Sequence, residues 1–322
     1  MRPRIALLSN PKSTGNIAQL SRIRDYCADH PDIFHYEVEH AEQIGEALRT
    51  IARVLPKMLI INGGDGTVQA ALTEIHNGGP FGDEPPPVAV LPNGKTNLIA
   101  LDLGAHGDPI QSLERLVELA QSDLSPHIVA RELFALRYDP LSHPVIGMFL
   151  GGAGLADTML YCRNKIYPLG LPNGLSHVLT ALALLFRMLF RLKASFLPPK
   201  PSPLEVSVRR GDRISGRFAL LAVTTLEKML LSSALSGTGR GRLKLIAIDE
   251  RPSSVLRAFI AGLAGKLGRS TYRGIHFEEA DEISIEGENS HLILDGEMFH
   301  AQIGRPILLN PAQPLSFVRL AV

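Results

Sequence analysis

The sequence predicts an α/β protein in two parts: a parallel sheet between helices, then a mostly antiparallel β-sandwich with inserted helices. Three observations carry that expectation. Before about residue 126, short apolar runs alternate with helically spaced ones, the order that builds a parallel sheet with helices on both faces. After it, eight strand-like runs follow with only two helical patterns between them. Three of the early strands also end in turns rich in Gly, Asn, Ser or Thr, and such turns gather at the carboxyl edge of a parallel sheet. The expected boundary separates residues 1–127 from residues 128–322.

In chain order, Ile5 to Leu8 is a short buried strand. It runs into the polar turn Ser9-Asn10-Pro11-Lys12-Ser13-Thr14-Gly15-Asn16 and a helix to about Ala28. Phe34 to His40 reads as a second strand. Glu42 to Val54 is an amphipathic helix with Ile44, Leu48, Ile51 and Ala52 on one face. Met58 to Ile61 is a third strand, stopped at Asn62 by Gly63-Gly64-Asp65-Gly66, and behind Thr67 the residues Val68, Ala71, Leu72 and Ile75 form an apolar helical face. Val88 to Leu91 follows a proline-rich loop and ends in Pro92-Asn93-Gly94-Lys95-Thr96-Asn97. Helices are expected from about Leu98 and over Ile110 to Gln121. The alternation is Rossmann-like.

The glycine turn is the centre of this pattern. Glycines let the backbone approach a bulky anion, and the unpaired N–H groups of the following helix favour phosphate. Thr67 or Asp65 stands where a side-chain oxygen caps that helix. A carboxylate in such a turn is repelled by bare phosphate, so Asp65 needs a metal ion or a proton to handle. That points to phosphoryl transfer. Alone, Gly-Gly-Asp-Gly is equally a geometric turn. Three polar turns on one edge favour a nucleotide with several phosphates.

In the second part, Ile128 to Tyr138, Val145 to Leu150, Leu204 to Arg210, Phe218 to Thr224, Leu243 to Ile248, Glu282 to Glu286, His291 to Leu294 and Ile307 to Leu309 read as strands. Leu175 to Lys193 is an apolar helix that turns basic at Arg187, Arg191 and Lys193; it falls short of a spanning segment. It suits a membrane interface, an acyl-chain pocket or a core. Val255 to Leu267, with Leu256, Phe259, Ile260 and Leu263, reads as a core helix ending in Lys266 and Arg269.

A 45% hydrophobic content with 20% charged residues is that of a globular chain, and the net charge is only +1. Its distribution says more. Residues 1–128 hold 10 Lys and Arg against 16 Asp and Glu, a net of −6, and the remainder 23 against 16, a net of +7. The basic half suits an anionic membrane surface and equally a solvated face with no partner. Cys27 and Cys162 are the only cysteines, so neither a disulfide framework nor a zinc site is implied and a reducing compartment fits. The N-terminal apolar run is too short for a signal peptide. No nucleic-acid partner is expected, and homodimerisation is left open.

Together these residues resemble the diacylglycerol kinase catalytic-domain family, which includes bacterial lipid kinases, sphingosine kinases and ceramide kinases. Asn10-Pro11-Lys12-Ser13-Thr14-Gly15 looks like the family's N-P-x-S-G turn. Gly63-Gly64-Asp65-Gly66-Thr67 matches its GGDGT, Leu91 to Asn97 is similar to its L-P-x-G-T-x-N, and Asp295-Gly296-Glu297 matches its late D-G-E. GGDGT is shared with other small-molecule kinases; all four in this order are specific. By itself Asp295-Gly296 is a hairpin signal.

The resemblance implies that residues 1–127 bind ATP and residues 128–322 bind a lipid, with the γ-phosphoryl group passing to a lipid hydroxyl. The acceptor would be diacylglycerol, ceramide or another sphingoid lipid. It assigns the nucleotide to Asn10, Ser13, Gly63, Gly64, Gly66, Thr67, Gly94, Lys95 and Asn97. Asp65 would bind Mg2+ or orient the phosphates, Asp295 would be a second Mg2+ ligand or orient the base, and Glu297 would be the general base. The protein is then expected in the cytoplasm, peripheral to the inner face of the membrane. Two departures stand out. Lys95 and Leu98 replace a Thr and an Asp of the family's third turn. Arg240 and Lys244 stand where many bacterial members have acidic residues supporting a structural Mg2+; neither can ligate a metal, so no such ion is expected there. An NAD-kinase-like enzyme also uses a GGDG turn, though the apolar 175–193 helix argues against a dinucleotide acceptor. A non-catalytic nucleotide- or lipid-binding regulator is disfavoured by intact Asp65 and Glu297.

Overall fold

A computed structural model describes residues 5–94, 96–169, 179, 180, 183, 187, 197–208, 213–226, 241–263 and 272–320. Lys95, Arg191, Arg240, Lys266, Arg269 and most of the expected 175–193 helix therefore lie outside the described residues.

The first part contains β1 (Ile5–Ser9), α1 (Asn16–Ala28), β2 (Ile33–Glu37), α2 (Ile44–Ala52), β3 (Met58–Asn62), α3 (Asp65–Gly78), β4 (Val88–Val90), α4 (Leu98–Asp102) and α5 (Pro109–Gln121). Strands β2, β1, β3 and β4 lie side by side in that order, all parallel. Alternation along each strand sorts the helices to two faces. Ala6, Leu8, Leu59 and Ile61 pack on one face with Ile44 and Leu48 of α2 and Val68 and Leu72 of α3. Ile5, Leu7, Met58 and Ile60 pack on the other with Ile23 of α1 and Leu113 and Leu116 of α5. With both faces covered, β1 and β3 are apolar until their last residues, Ser9 and Asn62.

The second part adds β5 (Ile128–Arg137), β6 (Val145–Gly147), β7 (Phe149–Gly152), α6 (Gly154–Tyr161), β8 (Leu204–Val208), β9 (Arg213–Gly216), β10 (Phe218–Thr224) and β11 (Leu243–Asp249). It continues with α7 (Pro252–Leu263), β12 (Ile275–Ala280), β13 (Ile283–Gly287), β14 (Ser290–Leu294), β15 (Glu297–Ala301) and β16 (Ile307–Val318). One sheet extends the parallel one through β16, β13, β8 and β9, with β5 alongside β16 and β6 alongside β5. Phe317 of β16 pairs in parallel with Val88 of β4. The other sheet, in the order β12-β11-β10-β7-β14-β15, is antiparallel throughout. The two sheets enclose a core that includes Phe134, Ile283 and Ile307 from one, and Leu221, Leu245 and Leu292 from the other.

Several expectations are corrected. The single strand expected over Val145 to Leu150 is two strands in different sheets, because the chain crosses between layers at Met148. β16 runs nine residues past Leu309; Pro311 and Pro314 hid it, and the pairing with β5 slips between Ala312 and Leu315. Strands β9, β12 and β15 and helix α6 were not foreseen. Neither Asp65 nor Thr67 caps α3, since Gly64 is its N-cap and no side chain bonds there.

Helix α7 also packs differently from its expected core role. Val255 and Ala258 meet Ile246, Ile248 and Phe277 of the sheet, while Leu256, Phe259 and Ile260 face outward. The helix has two apolar faces, so periodicity alone does not choose between them. The side of smaller residues, with Ser254, Ala258 and Ala261 buried, is the one that lies against the sheet.

Arg187 is buried, not free for a membrane. It donates to the Pro199 carbonyl at 2.6 Å and to Glu250 Oε1 at 3.0 Å.

Candidate active site

The carboxyl ends of β1, β3 and β4 are adjacent, so the turns that leave them meet. Asn10 Nδ2 donates to Thr67 Oγ1 at 2.9 Å, joining the first turn to the start of α3. Ser13 Oγ donates to the Asn93 carbonyl at 3.0 Å, joining the first turn to the third. The second and third turns touch through backbone. A Cβ on Gly94 would stand 2.9 Å from Gly64 Cα, so only glycine allows the contact.

A buried asparagine cluster braces these turns from below. Asn93 Nδ2 donates to Asn62 Oδ1 at 2.7 Å and also to Asn16 Oδ1. Asn16 Nδ2 donates to the carbonyls of Asn10 and Asn62 at 2.7 and 3.1 Å, and Asn62 Nδ2 to Ser9 Oγ at 2.9 Å. Each partner is thereby satisfied without water, as burial requires. In the third turn, Asn97 sits at φ 54°, a left-handed conformation that Asn tolerates, and its Oδ1 accepts from Gly94 N at 2.6 Å.

Asp65 caps a helix other than its own. Its carboxylate accepts from the N–H groups of Asn97 and Leu98, at the entry to α4. Leu98 therefore acts through its backbone, whatever its side chain. Burial pushes the Asp65 carboxyl up to about 6, against the lowering effect of those two N–H groups.

Asp295 and Gly296 form the two-residue turn between β14 and β15, at φ 44° and 98°, as the Asp-Gly pair predicts. The buried Asp295 carboxylate spans the point where the chain crosses between sheets, accepting from Met148 N at 2.8 Å and Phe149 N at 3.0 Å. Burial pushes it up to about 8, and the charge of Asp65 adds to the rise while the two N–H groups oppose it. The turn lies against the first residues of α3. A Cβ on Gly66 would stand 2.7 Å from Glu297 Oε1. Asp65, Asp295 and Glu297 thus meet at the N-terminus of the glycine-turn helix.

Beside them is a cleft of about 290 Å³, lined by Gln69 and Thr73 of α3, Val145, and Glu297, Met298 and Phe299 of β15. Thr73 also ties the two parts together, its Oγ1 accepting from Ile146 N at 3.0 Å.

Residues 4–126 match the family model for the diacylglycerol kinase catalytic domain. Three of the four motifs, from Asn10 to Gly15, Gly63 to Thr67 and Leu91 to Asn97, fall inside the diacylglycerol kinase catalytic-domain match, and Asp295-Gly296-Glu297 falls outside it. Two solved structures described as diacylglycerol kinases of Bacillus anthracis str. Sterne align over 98% of this chain and 97% of their own. One has a TM-score of 0.64 at 17% identity, the other 0.61 at 16%. At such identity the likeness is one of fold, and it reaches past the catalytic domain to the C-terminal motif. No curated protein matches the chain.

The fold brings together Asn10, Ser13, Gly63, Gly64, Gly66, Thr67, Gly94, Asn97, Asp65, Asp295 and Glu297. Lys95 and Arg240 lie outside the described residues, and Lys244 Nζ donates to the Leu226 carbonyl at 3.3 Å. Asn16, Asn62 and Asn93 were not singled out. Their one signal was position, at or just after strand ends that feed the diacylglycerol kinase motif turns.

Proposed function

We propose that this chain is a lipid kinase that transfers the γ-phosphoryl group of ATP to a hydroxyl of a membrane lipid. The observation that carries the reading is the approach of Glu297 to Gly66, which sets a carboxylate at the mouth of a phosphate-suited turn. Residues 1–127 would hold the nucleotide and residues 128–322 the lipid. Backbone N–H groups of the glycine turn and the start of α3 would bind phosphate oxygens. Glu297 would take the proton of the acceptor hydroxyl as its oxygen attacks the γ-phosphorus, and ADP would leave on the opposite side. The cleft lined by Val145, Met298 and Phe299 is suited to the apolar part of a glycerolipid or sphingoid backbone, with Gln69 and Thr73 near its polar end.

Mg2+ fits the donor set. Among the described residues no three His, Cys, Asp or Glu side chains form a cage for an ion. Mg2+ on a nucleotide needs only one or two carboxylates besides phosphate oxygens. Asp65, which is partly exposed, would be the first of these and Asp295 the second, through lone pairs left by its bonds from Met148 and Phe149 N–H, and a cation would draw both back to the ionised form. Bound there, Mg2+ would neutralise charge on the transferring phosphoryl group.

The protein would work from the inner face of the membrane without crossing it. No helix among the described residues is long and apolar enough to span a bilayer. Labelled ATP, offered with vesicles containing diacylglycerol, ceramide or sphingosine and with NAD in the same reaction, tests the function. Labelled lipid is the expected product. Labelled NADP beside untouched lipid would overturn the reading.

A further inference from the structure

The outward face of α7 has no role in the chemistry. Leu256, Phe259 and Ile260, at i, i+3 and i+4, form one stripe and are 60%, 52% and 57% exposed. The opposite stripe, with Val255, Ala258 and Ala261, lies against the sheet. A helix that buries its smaller apolar residues and turns its largest ones to solvent has an unmet partner.

The charge around the stripe says which partner. Arg257 lies on the helix itself, and Arg251 and Arg273 are exposed at its N-terminal end, where Arg257 donates to the Arg273 carbonyl at 3.1 Å. From Arg251 to Arg273 the sequence holds five Lys and Arg and no Asp or Glu. The two carboxylates that precede the helix in sequence are engaged. Glu250 is paired with Arg187 at 3.0 Å, and Asp249 faces His276 at 3.3 Å and Arg251 at 3.9 Å. On the sheet beneath, Glu279 stands opposite Lys244 in the register of β11 and β12. An apolar stripe framed by cations is the pattern of a helix lying in the plane of an anionic bilayer, its large side chains among acyl chains and its arginines at the headgroups.

We propose that α7 is the membrane-docking element of this protein, with Leu256, Phe259 and Ile260 entering the outer acyl layer of an anionic bilayer and Arg251, Arg257 and Arg273 meeting its headgroups. The inference rests on the lipid-kinase reading only in its choice of a bilayer over a protein partner. It moves membrane contact from the 175–193 segment, whose Arg187 is buried, to a different helix.

The full chain contains no tryptophan, so Phe259→Trp supplies a single reporter at the centre of the stripe. With phosphatidylglycerol vesicles its emission is expected to shift to the blue and to be quenched by lipids brominated in the acyl chain. With pure phosphatidylcholine vesicles both effects should be much weaker. The triple variant Leu256→Ser, Phe259→Ser, Ile260→Ser should sediment with phosphatidylglycerol vesicles at least ten-fold more weakly than the parent protein. Unchanged emission from a Trp variant that does sediment would overturn the proposal by putting the contact elsewhere. So would a parent protein that scatters light as a dimer, with a monomeric triple variant that still binds vesicles, for the stripe would then be a self-interface. These readouts need no turnover, so they stand apart from any failure of the kinase reading. If the kinase reading holds, the triple variant should lose at least ten-fold in rate on a vesicle-borne acceptor and keep its rate on a short-chain, water-soluble one.

Discussion

Glu297 and Gly66 share one small space. Replacing Gly66 with Ala would put a methyl group 2.7 Å from Glu297 Oε1, so the carboxylate would have to swing away. Alanine suits a helix better than glycine by roughly 0.5–1 kcal/mol. The expected outcome is therefore a protein at least as stable by thermal melting but with kcat reduced ten-fold or more. Glu297→Gln keeps the shape and removes the base. Turnover should fall by about 10²–10⁴ with ATP affinity unchanged, and unaltered turnover would take Glu297 out of the mechanism. The two buried aspartates make a different prediction. Asp65 and Asp295 are raised to about 6 and about 8, so the folded protein keeps protons that the unfolded chain has released. Their contribution to stability is complete below the ordinary carboxylate range near 4. It is lost as pH rises, and the loss ends above about 8. Glu37, held low by Arg24, and Asp108, held low by Ile110 N–H and Arg22, act in the opposite sense and only below that range. Burial lowers His35, which adds stability as pH rises toward its ordinary value near 6.5, so the clear decline in melting temperature without ligand is expected from about pH 6.5 to pH 8. Mg2+ with ATP should flatten the decline, because a cation favours the ionised form.

At the level of elements, the site is a set of turns held together by their own polar groups. Asn93→Ala would remove two donated bonds and leave Oδ1 of Asn16 and of Asn62 without a buried partner. An unsatisfied buried acceptor costs about 1–3 kcal/mol. The urea midpoint should fall accordingly, and KM for ATP should rise because the first and third turns lose their brace. The turns themselves were legible in the sequence, since glycine, asparagine and serine declare local backbone geometry. The brace was not. Asn16, Asn62 and Asn93 look like ordinary turn-formers one at a time, and their pairing spans gaps of 31 to 77 residues that no local pattern reports. The cap at Asp65 failed for the same reason: its partners are the N–H groups of Asn97 and Leu98, a different turn and a different helix. Helix α7 shows the limit of periodicity, which found an apolar helix and could not choose which apolar side faced the sheet.

Across the whole molecule, the first part was readable because β1, β3 and β4 are short and almost wholly apolar, and each leads through a polar turn into a helix. The second part hid its longest strand, since Pro311 and Pro314 read as breaks although β16 runs through them along β5. That strand joins the parallel strands to the antiparallel strands of the same sheet, β4 on one side and β13 and β5 on the other, so a pattern read segment by segment missed the continuity between the two parts. A second link between them makes the last prediction. Arg131 on β5 and Asp102 at the end of α4 form a buried ion pair, Nε to Oδ2 at 3.0 Å, with side chains 6% and 0% exposed. Helix α4 starts at the residues whose N–H groups bind Asp65, so this pair fixes the far end of the element that holds the glycine turn. Arg131→Met leaves a carboxylate buried beside a neutral side chain and should cost about 3–5 kcal/mol. Adding Asp102→Leu removes the stranded charge, so the double variant should be more stable than the single one. Denaturant titration of the wild type, both single variants and the double variant gives the coupling energy directly. If the double variant regains stability but not its affinity for ATP, the pair serves to position α4. If both return together, its role is confined to joining the two parts of the chain.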